Sequence, residues 1–272
     1  MTAFVCPFPI RTSLLTAALL AATAMQGHAA DKQAGSPPAQ PACTAPDDAT
    51  RMMYPLVRTA RKLAAGESLK IVAIGSSSTA GAGASGPDKT YPARLAVELQ
   101  ARFPAQRISV INRGVNGEEA KDMIARIEGE VLSEEPDLIL WQVGANAVLR
   151  DSPMPAVHSD ILHGLRRMKA AGADVVLIDP QFAPKVLAKK HAAAMVQLLE
   201  TMAKAEHVDL FERFKVMRHW RQVGKLPFEA FLSPDELHMN DWSYDCIAKV
   251  MAGAIAEAAT RSAMTARAAA PR

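Results

Sequence analysis

Four short segments of this 272-residue chain carry groups that can act together on a carbonyl. In order they are Gly75-Ser76-Ser77-Ser78-Thr79, Asn112-Arg113-Gly114-Val115-Asn116-Gly117, Gly144-Ala145-Asn146-Ala147 and Asp235-Glu236-Leu237-His238. The first offers serine hydroxyls, which are poor nucleophiles until a neighbouring base takes the proton. The last offers such a base, with a carboxylate three residues before it, a spacing that lets one loop present both side chains to one place. Between them lie a glycine N–H and a side-chain amide, donor types suited to a developing oxyanion. Each segment also has a plainer reading. A Ser-rich turn caps a helix, Asp-x-x-His pairs are common on surfaces, Gly117 suits a turn with positive φ, and Asn146 suits a helix cap. What favours chemistry is the order of the set and the strand-like run before each of the first three.

Those runs are Lys70-Ile71-Val72-Ala73-Ile74, Ile108-Ser109-Val110-Ile111 and Asp137-Leu138-Ile139-Leu140-Trp141-Gln142-Val143. Asp174-Val175-Val176-Leu177-Ile178 and the short Val208-Asp209-Leu210-Phe211 follow. The first of them, a short apolar run ending at glycine, reads as a buried parallel strand. Helices are predicted between them. Residues 94–103 form one, and residues 118–133 place Ile124, Ile127 and Val131 on one face and stop before Pro136. Residues 156–171 stripe Val157, Ile161, Leu165 and Met168 and end at Gly172. Residues 189–206 form another, and the final helix starts near Asp241 with Ile247, Val250, Met251, Ala254 and Ile255 inward. Alternation of this kind predicts a single three-layer α/β domain, a parallel five-stranded sheet with helices on both faces. Reactive groups in such sheets gather at the carboxyl ends of the strands.

Gly81-Ala82-Gly83-Ala84-Ser85-Gly86 matches the dinucleotide pattern G-x-G-x-x-G. That motif works only in the turn directly after a strand, opening a helix toward pyrophosphate. Here the glycines start well beyond Ile74, and the second strand ends in Asn112-Arg113 with no acid placed for a ribose. A Gly/Ala loop beside the site is the better reading, and no cofactor is expected.

The four segments resemble the blocks of the SGNH hydrolases, also called the GDSL esterase/lipase family: G-D-S, a glycine after the second strand, G-x-N-D and D-x-x-H. The resemblance spans residues 69–259 and implies the family's flavodoxin-like fold. It also implies roles: Ser77 as nucleophile, His238 as general base and Asp235 as its orienting acid. The oxyanion hole would be the N–H groups of Ser77 and Gly117 with the Asn146 amide. The G-x-S-x-G elbow of the α/β-hydrolases is absent, because Thr79 stands where its second glycine belongs. Two departures, Ser76 and Ala147 where the family carries Asp, mark an outlying subgroup. The implied activity is hydrolysis of an ester through an acyl-enzyme, with a short acyl or acetyl group on a small molecule or polysaccharide as substrate. Two alternatives are a polysaccharide O-acetyltransferase using the same site and a carbohydrate-binding protein without catalysis. Trp141, Gln142, Gln181 and Asn240 read either as pocket lining or as packing and loop hydrogen bonding. His158, His163, His191, His207 and His219 read as surface or packing residues.

A net charge of +3, scattered along the chain, gives no footprint for nucleic acid. The N-terminus reads as an export signal: Arg11, then apolar residues 14–22, then Gly27-His28-Ala29 with cleavage after Ala29. The apolar run is shorter than the ~20 residues a spanning helix needs, so a periplasmic or secreted protein without a stable membrane anchor is expected. Residues 30–48, rich in Pro, Ala, Gln and Ser, read as a flexible linker, 49–260 as the hydrolase domain and 261–272 as a frayed tail. Beyond Cys6 in the leader, Cys43 and Cys246 remain; an oxidising compartment allows them to pair, and two free thiols are the other reading. No Cys/His cluster has zinc-ligand spacing, so no metal is expected.

Overall fold

Each predicted strand lies in one sheet whose carboxyl edge faces the same way throughout. The computed structural model describes residues 40–268. The expected signal, its cleavage after Ala29 and most of the expected linker lie outside them. The described part opens with helices α1 (Asp47–Thr50) and α2 (Val57–Ala64), then strand β1 (Leu69–Gly75) and helices α3 (Ser77–Ala80) and α4 (Tyr91–Arg102). Strand β2 (Ile108–Gly114), helix α5 (Ala120–Glu130), strand β3 (Leu138–Gln142) and helices α6 (Ala145–Leu149) and α7 (Met154–Ala170) follow. The remainder is β4 (Asp174–Ile178), α8 (Pro184–Leu187), α9 (Ala192–Glu206), β5 (Asp209–Phe211), α10 (Arg213–Gln222) and α11 (Asp241–Ala268).

The sheet order is β2-β1-β3-β4-β5 and every pairing is parallel. Right-handed crossovers put the β1–β2 connection on one face and the later connections on the other. Accordingly α2 and α4 pack with α11 on one side, while α5, α7 and α9 pack in a row on the other. The direction of winding reverses at β1, between β2 and β3, and such a reversal opens a crevice at the carboxyl ends. Ile71, Val72, Ile74, Leu138, Ile139, Leu140, Val176 and Leu177 are sealed from solvent between the layers. Burying each contributes roughly 1.5–3 kcal/mol relative to exposure.

The amino edge of the sheet is stitched by acids at the strand starts. Asp137 accepts from the Lys70 N–H and from the Arg58 guanidinium, at 3.0 and 2.8 Å. Asp174 accepts the N–H groups of Arg58 and Thr59, free donors in the first turn of α2. Asp209 accepts those of Met53 and Tyr54. The segment beneath the sheet is thereby fixed and the opposite edge is left open.

Two departures from the expected boundaries have clear causes. Residues 41–48 are not a free linker: Cys43 is disulfide-bonded to Cys246 on α11, and two indole N–H groups reach for carbonyls there. Trp242 donates to the Pro41 oxygen at 3.0 Å and Trp220 to the Thr44 oxygen at 2.7 Å. An indole packed into or against the core needs such an acceptor, and this strap supplies both. At the other end, α11 continues to Ala268, beyond the expected start of fraying. No helix among the described residues is long and apolar enough to cross a membrane.

One buried pair is expected to make stability depend on pH. Asp179, after β4, and Arg213, at the start of α10, are both buried. Burial pushes the Asp179 carboxyl up to about 7, only partly opposed by the Phe214 N–H and the Arg213 charge. Between the ordinary carboxylate range and that value the folded chain binds more protons at this group than the unfolded chain. Stability from this group therefore declines as pH rises from about 4 to about 7. Asp179→Asn keeps the acceptor for the Phe214 N–H, 2.8 Å away, and is expected to flatten that decline. Melting temperatures of the two proteins across that range check it; parallel curves would reject the assignment.

Candidate active site

β1 ends at Gly75, and the next peptide is held from the neighbouring strand. Gln142, the last residue of β3, accepts from the Ser76 N–H at 2.9 Å, the Ser76 hydroxyl at 3.0 Å and the Thr79 hydroxyl at 3.3 Å. α3 is a single turn starting at Ser77, closed by Gly81 in the left-handed region and by Asn112 donating to the Thr79 carbonyl. The turn sorts the hydroxyls. Ser76, Ser78 and Thr79 are buried, and Ser77 is the one at the partly exposed position.

His238 arrives on a loop closed by one antiparallel bridge, Leu232 to Met239, and by the Ser233 N–H donating to the His238 carbonyl at 2.8 Å. Glu236 takes a left-handed φ of 57° at the tip. The ring lies between two partners: Nε2 is 2.8 Å from Ser77 Oγ, and Nδ1 is 2.5 Å from Asp235 Oδ2. Asp235 Oδ1 accepts the N–H groups of His238 and Leu237 and the Ser233 hydroxyl. Partial burial disfavours the Asp235 charge, but the His238 N–H and ring, the Ser233 hydroxyl and the Leu237 N–H outweigh it. They hold the carboxyl well below the usual carboxylate range. An ionised Asp235 accepts and cannot donate, so it selects the tautomer of the neutral ring that carries its proton on Nδ1 and leaves Nε2 to accept from Ser77.

The three donors expected for the oxyanion lie on the segments that follow β1, β2 and β3. The N–H of Ser77 finds no acceptor among the described residues, and neither does that of Gly117, whose φ of 82° is the positive value its turn reading anticipated. Asn146 is in the first turn of α6 but does not cap it; its side-chain amide donates one proton to the Glu118 carbonyl at 2.8 Å and keeps the other. Glu118 is held in turn by Arg126, through contacts of 2.6–3.0 Å. Arg126 also donates to the Arg113 carbonyl at 2.7 Å, so one guanidinium ties the Gly117 loop to the end of β2.

Among residues left open between lining and packing, the structure makes each structural. Trp141 is sealed in the core with its indole N–H on the Met123 sulfur. Gln181 donates to the Leu237 carbonyl at 3.2 Å and accepts from Arg213 at 3.0 Å, supporting the His238 loop from behind. Asn240 donates to Ala230 and accepts the Ser243 N–H at the head of α11. The Arg126–Glu118 clamp escaped the sequence reading, because a charge on α5 and another in the loop before it, eight residues apart, carry no sign of what they hold.

Residues 42–261 match the sequence model of the Non-GDSL lipase-like family. An arylesterase of Vibrio mimicus is 26% identical over 127 residues, which span 47% of this chain and 62% of that protein. An acetylxylan esterase of Geobacillus stearothermophilus is 35% identical over 65 residues, or 24% of this chain and 30% of that protein. The chain thus spans less than two thirds of the length of either curated relative. Among solved structures, a two-domain esterase active on acetylated mannans superposes with a TM-score of 0.67 at 21% identity, over 78% of this chain and 57% of that one. The acetylxylan esterase from Geobacillus stearothermophilus superposes at 0.58 and 20% identity, over 70% of this chain and 95% of its own. At these identities the superpositions speak for the fold.

Proposed function

The chain belongs to the non-GDSL lipase-like family, and from that premise we propose an exported serine esterase that removes a short acyl group, acetyl above all, from a polysaccharide. One observation carries the reading: His238 Nε2 lies 2.8 Å from the hydroxyl of a serine 161 residues away. Ser77 Oγ attacks the ester carbonyl while His238 Nε2 takes the hydroxyl proton. The negative charge on the former carbonyl oxygen is met by the N–H groups of Ser77 and Gly117 and the free amide proton of Asn146. The tetrahedral adduct collapses to an acyl-Ser77 ester, and His238 returns the proton to the departing sugar oxygen. Water then attacks the acyl carbon, gives its proton to His238, and the acid leaves as Ser77 regains its hydrogen. Asp235 holds the imidazole in one tautomer and balances its charge in both halves. The activities of the similar proteins, one an acetylxylan esterase and one an esterase active on acetylated mannans, support acetyl-glycan as the substrate class. The leader that reads as an export signal supports a periplasmic or secreted setting for such a polymer.

A fluorophosphonate probe followed by peptide mapping tests the nucleophile, and acetate release from acetylated xylan and mannan tests the substrate. Labelling at Ser77 alone, with free acetate appearing in the absence of any acceptor sugar, is the expected pair of results. Labelling elsewhere would overturn the nucleophile, and acetate release only when an acceptor sugar is added would turn the reading toward transfer.

A further inference from the structure

We propose that Gly83 is a positioning residue for His238, acting through the glycine-rich loop that joins the nucleophile turn to the head of α11. The proposal rests on the reading of His238 as general base. The loop starts at the nucleophile itself, because the Ser77 carbonyl accepts the N–H groups of both Gly81 and Ala82 at 2.9 Å. It ends on α11. The Tyr244 hydroxyl donates to the Ala82 carbonyl at 2.7 Å, and Asp241 accepts the Ser85 N–H and hydroxyl at 2.7 and 2.5 Å. Between those anchors Gly83, at φ 89°, lies flat against the base segment. A Cβ there would stand 2.4 Å from the Met239 carbonyl oxygen, 3.0 Å from His238 Cβ and 3.1 Å from Ser233 Oγ. Ser233 is the residue whose hydroxyl also holds Asp235. Gly83 therefore touches the backbone after the base, the base itself and the support of its acid.

The physical consequence is a short mechanical link between the two ends of the Ser77–His238 contact. A methyl at position 83 meets carbonyl backbone rather than a movable side-chain tip, and a left-handed φ adds strain for any side chain. Either the loop or the His238 segment must retreat. Misplacing a reacting group by about 1 Å can cost about 10²-fold in rate.

Gly83→Ala is expected to lower kcat for p-nitrophenyl acetate about 10- to 100-fold with KM within about twofold, because the base moves and the binding surface does not. The decisive comparison is made in a His238→Ala background. There the added Gly83→Ala is expected to change the residual rate by less than about twofold, since residues acting through one group do not add. Losses that multiply in the double variant would overturn the proposal, as would a folded Gly83→Ala protein with kcat within about twofold of the parent. Should Gly83→Ala not fold, Tyr244→Phe makes the same test by deleting one hydroxyl anchor of the loop. A drop of about 3- to 10-fold in kcat that disappears in the His238→Ala background supports the link, and an unchanged kcat overturns it. If His238→Ala alone retained the parent rate, the base assignment itself would fall, a result separable from failure of the Gly83 link.

Discussion

Ser77→Ala is expected to reduce p-nitrophenyl acetate turnover by at least about 10³-fold, because the reaction then lacks both its nucleophile and its covalent intermediate. What remains is attack by water aided by the oxyanion donors, the residual route seen when a triad is dismantled. Stability should hardly change. Ser77 and its partner His238 are both only partly buried, so deletion of the hydroxyl leaves no fully buried group unpaired. Rates measured beside thermal unfolding check both halves. A variant keeping most of its turnover would remove Ser77 from the mechanism. A large fall in melting temperature would mean that the hydroxyl holds the turn together.

Asp235→Asn should cost about 10³–10⁴-fold in turnover while preserving the loop, and the reason is a single proton. Asparagine keeps an oxygen for the N–H groups of Leu237 and His238 and for the Ser233 hydroxyl. It places an NH2 group where Oδ2 met His238 Nδ1, so that nitrogen must become the acceptor. The ring proton then moves to Nε2, facing Ser77, and no lone pair remains there to receive the hydroxyl proton. The variant should bind substrate with KM close to the parent and show its loss in kcat. A loss below about tenfold would mean that Asp235 shapes the loop without setting the tautomer.

Much of this arrangement was legible before any coordinate. The strand runs are rich in Ile, Val and Leu, a pattern that parallel strands under covering helices impose, and three of the four chemistry-bearing segments follow from where those strands end. Helix α10 was not legible. Its sequence, Arg213-Phe214-Lys215-Val216-Met217-Arg218-His219-Trp220-Arg221-Gln222, reads as polar, yet Arg213, Val216, Met217 and Trp220 are buried. A buried guanidinium breaks the apolar stripe that marks a helix face. Its use becomes visible only when Gln181 and the His238 loop stand next to it. Gln142 hid in the same way: inside a strand run it looks like an interruption, whereas in space it is the acceptor that aims the nucleophile turn. The distance of the glycine-rich stretch from β1 argued against a nucleotide-binding turn there. What it does instead depends on close approach to Met239, which lies 156 residues later and leaves no local trace.

The bond between Cys43 and Cys246 also sets a timetable for synthesis. One thiol leaves the ribosome 203 residues ahead of its mate, so the chain must wait, reduced at that point, until nearly all of the domain has emerged. The same wait applies to His238, which appears just before the second thiol. Oxidative closure and acquisition of a working base are therefore neighbouring, late events in maturation. With two cysteines in the described residues, ring closure has one intramolecular product, and the competing outcome is a covalent dimer.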